Sequence, residues 1–384
     1  MAQSGREVVI VEAVRTAVGR RNGALKEVHP VILAATALRA LVQRAGIEPG
    51  IVEDVVWGCV SQVGEQGINV GRNAVLAAGF PIEVPATTVD RQCGSGQQAI
   101  HFAANLIQSG TCDVTIAGGV ENMSRLPIGS NIATGGNPFP LSLLEVYPMV
   151  HQGVSAEMIA EKWNIPRAEL DEFSLRSHQL AAAAQDAGYF DREIIPTPLA
   201  DGSSFTRDEG VRRDTTLEKL AALQPVFKSD GVVTAGGSSQ VSDGAAALLL
   251  MTPEKAAELG LRPRARIVAQ KVVGVDPVSM LTGPIPATRQ ILQRAGLTVD
   301  DIDLFEVNEA FAPVVMAWKR ELQPDMARVN VNGGAIALGH PLGASGARLM
   351  VTMLHELERR NARYGLQTMC CGGGLGTATI FERV

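Results

Sequence analysis

The chain has 384 residues, of which 46% are hydrophobic and only 4% aromatic, with 40 glycines and a net charge of −6. This length predicts roughly two to three domain-sized units, and the composition favours tightly packed α/β layers and excludes disordered and fibrous proteins. Because the net charge is negative and no block of lysine or arginine occurs, nucleic acids and anionic membrane surfaces are poor partners.

The first third of the chain alternates short apolar strands with amphipathic helices. Strands are predicted at residues 7–14, 52–57 and 114–117, and helices at 33–45, about 69–79 and from Gln97 to about Gln108. The strand at 114–117 is expected to stop at the following Gly118 and Gly119. Such alternation predicts parallel pairing within a layered α/β architecture.

Cys93 lies in the turn between an apolar strand and the helix that begins at Gln97. A helix start offers unpaired N–H groups and a positive dipole end, which lower the pKa of a thiol, and the neighbouring glycines permit close approach of a substrate. Cys93 is therefore a candidate nucleophile. Taken alone, this stretch is equally consistent with Cys93 being a buried structural cysteine.

The cysteines as a group point to a reducing compartment. The five cysteines are dispersed and follow no metal-binding spacing, which predicts neither a disulfide framework nor a zinc site. No apolar run is long enough for a signal peptide or a bilayer span, so a cytoplasmic protein without membrane insertion is expected.

The middle of the chain, residues 121–251, changes character. Proline and glycine crowd residues 127–148, and two polar helices are predicted at about 154–163 and 167–187. Such an excursion over a sheet edge commonly carries binding residues. Its basic side chains would either bind a phosphate-bearing ligand or form a solvated surface; they are Arg207, Arg212, Arg213, Lys219 and Lys228.

The final third repeats the order of the first. The segment 293–297 echoes 43–47, and in both places an amphipathic helix precedes it and an acidic turn leads to a short apolar strand. We interpret this as an internal duplication of two α/β units that face each other. Turns at equivalent sheet ends then converge on one cleft, which brings Cys93 opposite His340.

Further candidates for catalysis follow from this cleft. His340, in a glycine-flanked turn, could serve as the base for a thiol that attacks a thioester. Cys370 or Cys371 could move a proton at the carbon beside a thioester carbonyl, and only one of these adjacent strand residues can face the cleft. Backbone N–H groups at Cys93 and within 372–374 could form one oxyanion site, and Asn308 with His340 a second.

The chain resembles the thiolase family over essentially its whole length. The resemblance rests on four segments in order, residues 92–96, 307–311, 339–343 and 369–374, and on 14–19, 118–123 and 234–239. It implies that Cys93 is the acylated nucleophile, His340 its activator, Cys370 the acid/base cysteine, Asn308 the holder of an oxyanion-hole water and Gly372 a backbone donor.

The resemblance also implies contacts with coenzyme A, which is expected as a co-substrate, with no permanently bound cofactor and no metal. The expected coenzyme A residues are Ser239, Ala235, Ala310, Phe311, His151 and Arg212. Gln152 stands where the short-chain biosynthetic type often has methionine. The sequence around Cys93 is similar to actinobacterial degradative thiolases, some of which take ring-bearing acyl groups.

The expected fold is α/β, with two duplicated halves (1–120 and 252–384), each a mixed, mainly parallel sheet, in five α-β-α-β-α layers with a loop domain at 121–251. The expected reaction is thiolytic cleavage of 3-oxoacyl-CoA to acetyl-CoA and a shortened acyl-CoA, through an acyl-Cys93 intermediate, by a homodimer or homotetramer. Alternatives are a short-chain acetyl-CoA acetyltransferase working in the condensing direction, a ketosynthase, and a noncatalytic lipid- or CoA-binding protein. The second thiol argues against the last two.

Overall fold

The computed structural model describes residues 5–133 and 135–384. The first half and the excursion contain, in order, β1 (Val9–Thr16), β2 (Gly19–Arg20), α1 (Pro30–Ala45), β3 (Asp54–Gly58), α2 (Val70–Ala77), β4 (Ala86–Val89), α3 (Ser95–Gln108), β5 (Val114–Asn122), α4 (Leu141–Val146), α5 (Gln152–Lys162), α6 (Arg167–Asp186), β6 (Ile194–Ile195), β7 (Thr197–Pro198), β8 (Ser204–Phe205) and α7 (Leu217–Ala221).

The rest of the chain contains β9 (Ser242–Met251), α8 (Pro253–Glu258), β10 (Ala265–Gly274), α9 (Pro284–Ala295), β11 (Leu304–Val307), α10 (Ala312–Leu322), α11 (Ala335–Leu338), α12 (Leu342–Arg360), β12 (Tyr364–Cys371) and β13 (Leu375–Arg383). Within the described ranges, no helix is long and apolar enough to cross a membrane.

The two halves have matching topologies. The sheet order is β4-β3-β5-β9-β1 in the first half and β11-β12-β13-β10 in the second, and the halves join where β1 meets β10. The equivalent helices α1 and α9 both end at a glycine in the left-handed region, Gly46 at φ 67° and Gly296 at φ 68°. This conformation favours glycine, which explains why the echoed segments share that residue.

Helices lie in three layers around the two sheets. Helix α3 and helix α12 pack against each other between the halves, whereas α1 covers the first sheet from outside and α9 covers the second. The apolar core is divided accordingly into an outer cluster for each half and a central cluster shared by both. This arrangement confirms the expected five-layered α/β fold.

The pairing of the strands corrects one expectation, because neither half is mainly parallel. Strand β3 is parallel to β4 and β5, and β11 is parallel to β12. Strand β9 is antiparallel to both β5 and β1, and β13 is antiparallel to both β12 and β10. β13 follows β12 through a tight turn at 372–374, and a hairpin of this kind can only be antiparallel. β9 returns from the long excursion instead of from a helical crossover.

Strand β5 is also longer than its sequence pattern suggests. It continues through Gly118 and Gly119 to Asn122. A Cβ on Gly118 would lie 2.2 Å from the carbonyl oxygen of Ala246, and one on Gly119 would lie 2.0 Å from that of Gly343. These glycines therefore permit close packing inside the strand and do not end it.

Strand β9 bears on the proposed domain boundaries. Although it falls within the segment 121–251, it pairs with β5 from Asn122 to Val114. We propose that the first half consists of the chain up to the end of β5 together with β9, and that the excursion occupies the residues between these two strands.

Gly343, at the start of α12, is a close contact between the two halves. A Cβ there would lie 2.6 Å from both Cys59 Cα and the Val120 carbonyl oxygen, which are main-chain atoms that cannot move aside cheaply. We expect Gly343→Ala to lower the free energy of unfolding by about 2–3 kcal/mol. Gly274→Ala is the matched control, because no atom lies within 4 Å of its ideal Cβ. Chemical denaturation measures both changes, and equal stability of the two variants would contradict the prediction.

Candidate functional site

Cys93 occupies a rigid turn between β4 and α3. Gln92 has a left-handed backbone at φ 50°. Its N–H donates to Asp90 Oδ1 at 2.6 Å, and Ser95 Oγ donates to the Gln92 carbonyl at 2.6 Å. Helix α3 begins at Ser95, two residues earlier than expected, with Gly94 at its N-cap. The turn therefore fixes the direction of the Cys93 side chain, which is 3% exposed.

The thiol of Cys93 faces backbone donors but is not a thiolate at neutral pH. Burial raises the pKa of Cys93 to about 11, although the N–H groups of Gly372 and of Cys93 itself act in the opposite direction. The backbone donors lower this pKa, in the direction expected for the helix start, but desolvation outweighs them, so the net pKa of Cys93 is raised. A nucleophilic role for Cys93 would therefore require a base at the moment of attack.

His340 has the protonation state that such a base requires. Ser345 Oγ donates to the Pro341 carbonyl at 2.8 Å, so its oxygen accepts from Nδ1 of His340 at 2.5 Å. This assigns the ring proton to Nδ1 and leaves Nε2 with its lone pair. Burial, followed by the charge of Arg348, lowers the pKa of His340 to about 3. The ring is therefore neutral and can accept a proton.

Ser345 is a residue that the sequence reasoning missed, because a serine inside a helix carries no distinctive signal. We expect Ser345→Ala to lower kcat about tenfold to a hundredfold, since the loss of its hydrogen bond frees the tautomer and orientation of His340. Ser345→Thr, which retains the hydroxyl, is the control. The measurement is a steady-state assay with a 3-oxoacyl-CoA substrate. Equal rates for the Ser345→Ala and Ser345→Thr variants would contradict the proposed role of the Ser345 hydroxyl in orienting His340.

Asn308 lies directly beside His340. It follows β11, and its N–H is anchored on the Thr368 carbonyl at 3.1 Å. Its side-chain Nδ2 lies 3.3 Å from Nε2 of His340, and among the described residues no donor reaches its buried Oδ1. The structure thus brings together the two residues expected to form one oxyanion site, and leaves an acceptor there for a further donor.

The two adjacent cysteines of β12 face different surroundings. Cys371 packs with Cys93, Leu349 and Met369, and a Cβ on Gly94 would lie 2.7 Å from its sulfur. Cys370 instead belongs to the apolar cluster of the second half, which includes Phe311. Burial, and then the charge that Cys93 would carry, raises the pKa of Cys370 well above that of an ordinary thiol.

Glu121 is a second residue without an assigned role in the sequence reasoning. Its buried carboxylate, at the end of β5, accepts from Val60 N–H at 2.9 Å, Ser61 N–H at 3.0 Å, Gln66 Nε2 at 2.7 Å and Gly343 N–H at 2.9 Å. It therefore ties a loop of the first half to the start of the helix that follows His340. The sequence feature that could have identified Glu121 is an acidic residue at the end of an apolar strand.

Several of the expected coenzyme A residues lie together. Ser239 N–H donates to the Ala310 carbonyl at 2.9 Å. Phe311 meets Phe227 edge to face at 5.8 Å, and Phe227 stacks on His151 at 5.3 Å. These contacts place the end of the excursion, the start of α5 and the segment after β11 around one side of the site.

Contacts that would connect Ala235 and Arg212 to this group are absent among the described residues. Both are exposed, and no hydrogen bond or aromatic contact of the described residues connects either one to the group. The other basic side chains of the excursion pair with nearby carboxylates: Arg207 and Arg213 with Asp186, Lys219 with Asp214, and Lys228 with Asp230. For these four, the alternative of a charged surface is favoured, whereas Arg212 forms no ion pair with any residue in the described part of the chain.

Comparisons with known proteins agree with this geometry. The family described as "Thiolase, N-terminal domain" matches residues 8–254, and "Thiolase, C-terminal domain" matches residues 261–383. The chain is 53% identical over 387 residues to the steroid 3-ketoacyl-CoA thiolase FadA6 of Mycobacterium tuberculosis, covering 98% of this chain and 94% of that protein. It is 49% identical to a 3-ketoacyl-CoA thiolase of Pectobacterium carotovorum, covering 98% and 100%. The crystal structure of the Bacillus anthracis acetyl-CoA acetyltransferase superimposes with a TM-score of 0.92 at 44% identity, covering 100% of both chains.

Proposed function

Because this chain belongs to the thiolase family, we propose that Cys93, His340, Asn308 and Cys370 carry out its acyl transfer. The chain is an acetyl-CoA C-acyltransferase that cleaves 3-oxoacyl-CoA with coenzyme A into acetyl-CoA and a shortened acyl-CoA. The observation that carries the assignment of residues is the neutral His340 beside Asn308, with its Nδ1 proton held by Ser345.

The first half-reaction forms the acyl enzyme. His340 Nε2 takes the proton of Cys93, and the sulfur attacks the ketone carbon, whose oxygen gains the displaced electron pair. The bond between that carbon and the α-carbon then breaks, and its electron pair stays on the α-carbon as the enolate of acetyl-CoA. Cys370 gives this carbon its proton, so that acetyl-CoA leaves and the acyl group remains on Cys93.

The second half-reaction releases the shortened acyl-CoA. Cys370, now a thiolate, takes the proton of the incoming coenzyme A thiol, whose sulfur attacks the acyl carbon. The bond between Cys93 and the acyl carbon breaks, and the Cys93 sulfur regains its proton from His340. The N–H groups of Cys93 and Gly372 would stabilise the tetrahedral oxyanion, whereas Asn308 and His340 would stabilise the enolate oxygen.

Coenzyme A is the co-substrate of this reaction. We propose that Ser239, Ala310, Phe311 and His151 line its pantetheine arm, since their contacts place them on one side of the site. Ala235 and Arg212, which are exposed, are proposed for the outer parts of the coenzyme. A guanidinium without a paired carboxylate suits a phosphate.

Two further proposals concern the cellular location and the oligomeric state of the enzyme. We propose a cytoplasmic location, because two working thiols need a reducing compartment. We propose a homodimer or homotetramer, since β4 ends the sheet with an open edge and Ile68 and Ile82 are 93% and 73% exposed. Light scattering during size-exclusion chromatography measures the assembly, and a monomer at micromolar concentration would overturn that proposal.

The condensing direction is the second candidate. The reaction is reversible, and similar proteins include an acetyl-CoA acetyltransferase of Chromobacterium violaceum that is 46% identical. Rates for acetoacetyl-CoA thiolysis and for condensation of acetyl-CoA, measured side by side, decide which direction the enzyme favours. A noncatalytic lipid- or CoA-binding protein would not need the Cys93, His340, Asn308 and Cys370 set.

A direct test uses the unmodified enzyme. Acetoacetyl-CoA and coenzyme A are mixed with it, and the loss of the 3-oxoacyl absorbance is followed, while iodoacetamide labelling is mapped by mass spectrometry. We expect turnover, and selective alkylation of Cys93 that prior acylation prevents. A folded preparation that turns over no 3-oxoacyl-CoA and is not alkylated at Cys93 would overturn the proposal.

A further inference from the structure

Two glutamine side chains converge on the residue that faces the nucleophile. A Cβ built on Gly372 would lie 3.3 Å from Nε2 of Gln152 and 3.4 Å from Oε1 of Gln92. The N–H of Gly372 faces the sulfur of Cys93. The two amides therefore lie beside the residue whose N–H faces the thiol that would carry the acyl group.

The backbones that carry these amides are held in place from different parts of the chain. Gln152 is the first residue of α5, whose N-cap His151 accepts from Gly153 N–H at 3.1 Å and stacks on Phe227 at 5.3 Å. Gln92 has a left-handed backbone that the Asp90 carboxylate holds through a 2.6 Å hydrogen bond. The backbone positions from which the two side chains extend are thus fixed before any substrate arrives.

The hydrogen-bonding capacity of the pair is largely unused. Among the described residues, the Gln152 amide makes no hydrogen bond, and Gln92 uses only its Nε2, at 3.3 and 3.4 Å from the Asp90 carboxylate. Both side chains are half-buried. A hydrocarbon acyl group would displace water from these amides and leave them without hydrogen-bond partners. A polar oxygen on the acyl group would instead take over the hydrogen bonds that the water had made.

We propose that Gln152 and Gln92 form a polar recognition pair for the acyl group, and that the preferred 3-oxoacyl-CoA carries a hydroxyl or carbonyl oxygen within a few bonds of the ketone that Cys93 attacks. The inference rests on the proposed function and names its substrate class. A hydroxyl can donate to Gln92 Oε1 and accept from Gln152 Nε2, which matches the two atoms that border Gly372.

The test compares 3-oxohexanoyl-CoA with its 5-hydroxy derivative. We expect the wild-type enzyme to favour the hydroxylated substrate about tenfold in kcat/KM, which is the worth of a hydrogen bond between uncharged groups. Gln152→Met removes the amide at nearly constant volume, and we expect it to bring the ratio close to one. Gln92→Leu is the second variant and should also lower the ratio of the two kcat/KM values. Gln293→Met, on the exposed face of α9, is the matched control and should leave the ratio unchanged.

The ratio separates recognition from damage to the fold, since a structural defect lowers both rates together. A wild-type enzyme without preference for the hydroxylated substrate, or a preference that survives in both variants, would overturn the inference. If the wild-type enzyme cleaves acetoacetyl-CoA but shows no preference, the proposed function stands and only the polar pair fails. If it cleaves no 3-oxoacyl-CoA, the proposed function fails first.

Discussion

Replacing Cys370 with alanine is expected to lower kcat about a thousandfold or more, because in the proposed mechanism its thiol exchanges the proton with the α-carbon of acetyl-CoA. The thiol is buried, and its pKa is raised well above the ordinary range, first by burial and then by Cys93. A thiol with a high pKa stays protonated until a carbanion takes the proton, which suits the cleavage step. Steady-state thiolysis of acetoacetyl-CoA measures the loss.

Cys371→Ala is the matched control for this prediction. The two residues are neighbours in sequence, and Cys371 packs with Cys93 and Leu349, whereas Cys370 lies in the apolar cluster of the second half. We expect the variant to lose some stability, because a buried group is removed, but to keep most of its activity. Equal losses of kcat in both variants would reverse the assignment. A larger loss in Cys371→Ala would transfer the acid/base role to that residue.

His340→Ala is expected to lower kcat/KM about a thousandfold to ten-thousandfold, because Cys93 then loses the base that makes it a nucleophile. With its pKa raised to about 11, only a small fraction of the thiol ionises unaided at neutral pH. His340→Asn offers a side chain that can hydrogen bond but cannot accept the proton, so it should be equally impaired.

Alkylation of Cys93 by iodoacetamide separates this role from damage to the fold. In His340→Ala, the rate should rise about tenfold for each pH unit up to about pH 11, since the thiolate fraction grows by that factor below the pKa of Cys93. Rapid alkylation at pH 7 in this variant would show that the thiolate forms without His340. It would also show that burial raises the pKa of Cys93 less than the structure indicates.

Local patterns identified most of the elements and the candidate residues. The helices ending at Gly46 and Gly296 were recognisable because an amphipathic period followed by glycine predicts a left-handed helix end, and both glycines have positive φ. The polar helices of the excursion were expected at about 154–163 and 167–187 and are found at Gln152–Lys162 and Arg167–Asp186. Recognition of the thiolase family required only the order of short motifs along the chain.

Strand direction and strand length were harder to predict from such patterns. Glycine usually interrupts a strand, yet Gly118 and Gly119 lie inside β5 because Ala246 and Gly343 leave no room for a side chain. Their partners are more than a hundred residues away in sequence. Likewise, an apolar run such as β9 does not show in which direction it will pair, since its alternation is the same in both orientations.

The sequence by itself determined the family, the order of two similar halves and the candidates Cys93, Asn308, His340 and Cys370, because motif spacing and periodicity are properties of the chain alone. Only the tertiary structure decided the protonation states and hydrogen bonds of these groups. The pKa values of Cys93 and His340 depend on how completely distant segments exclude water, and the position of the ring proton on Nδ1 of His340 depends on Ser345. The polar pair of Gln92 and Gln152 likewise exists only after folding, since the two residues come from segments 60 residues apart that meet at Gly372.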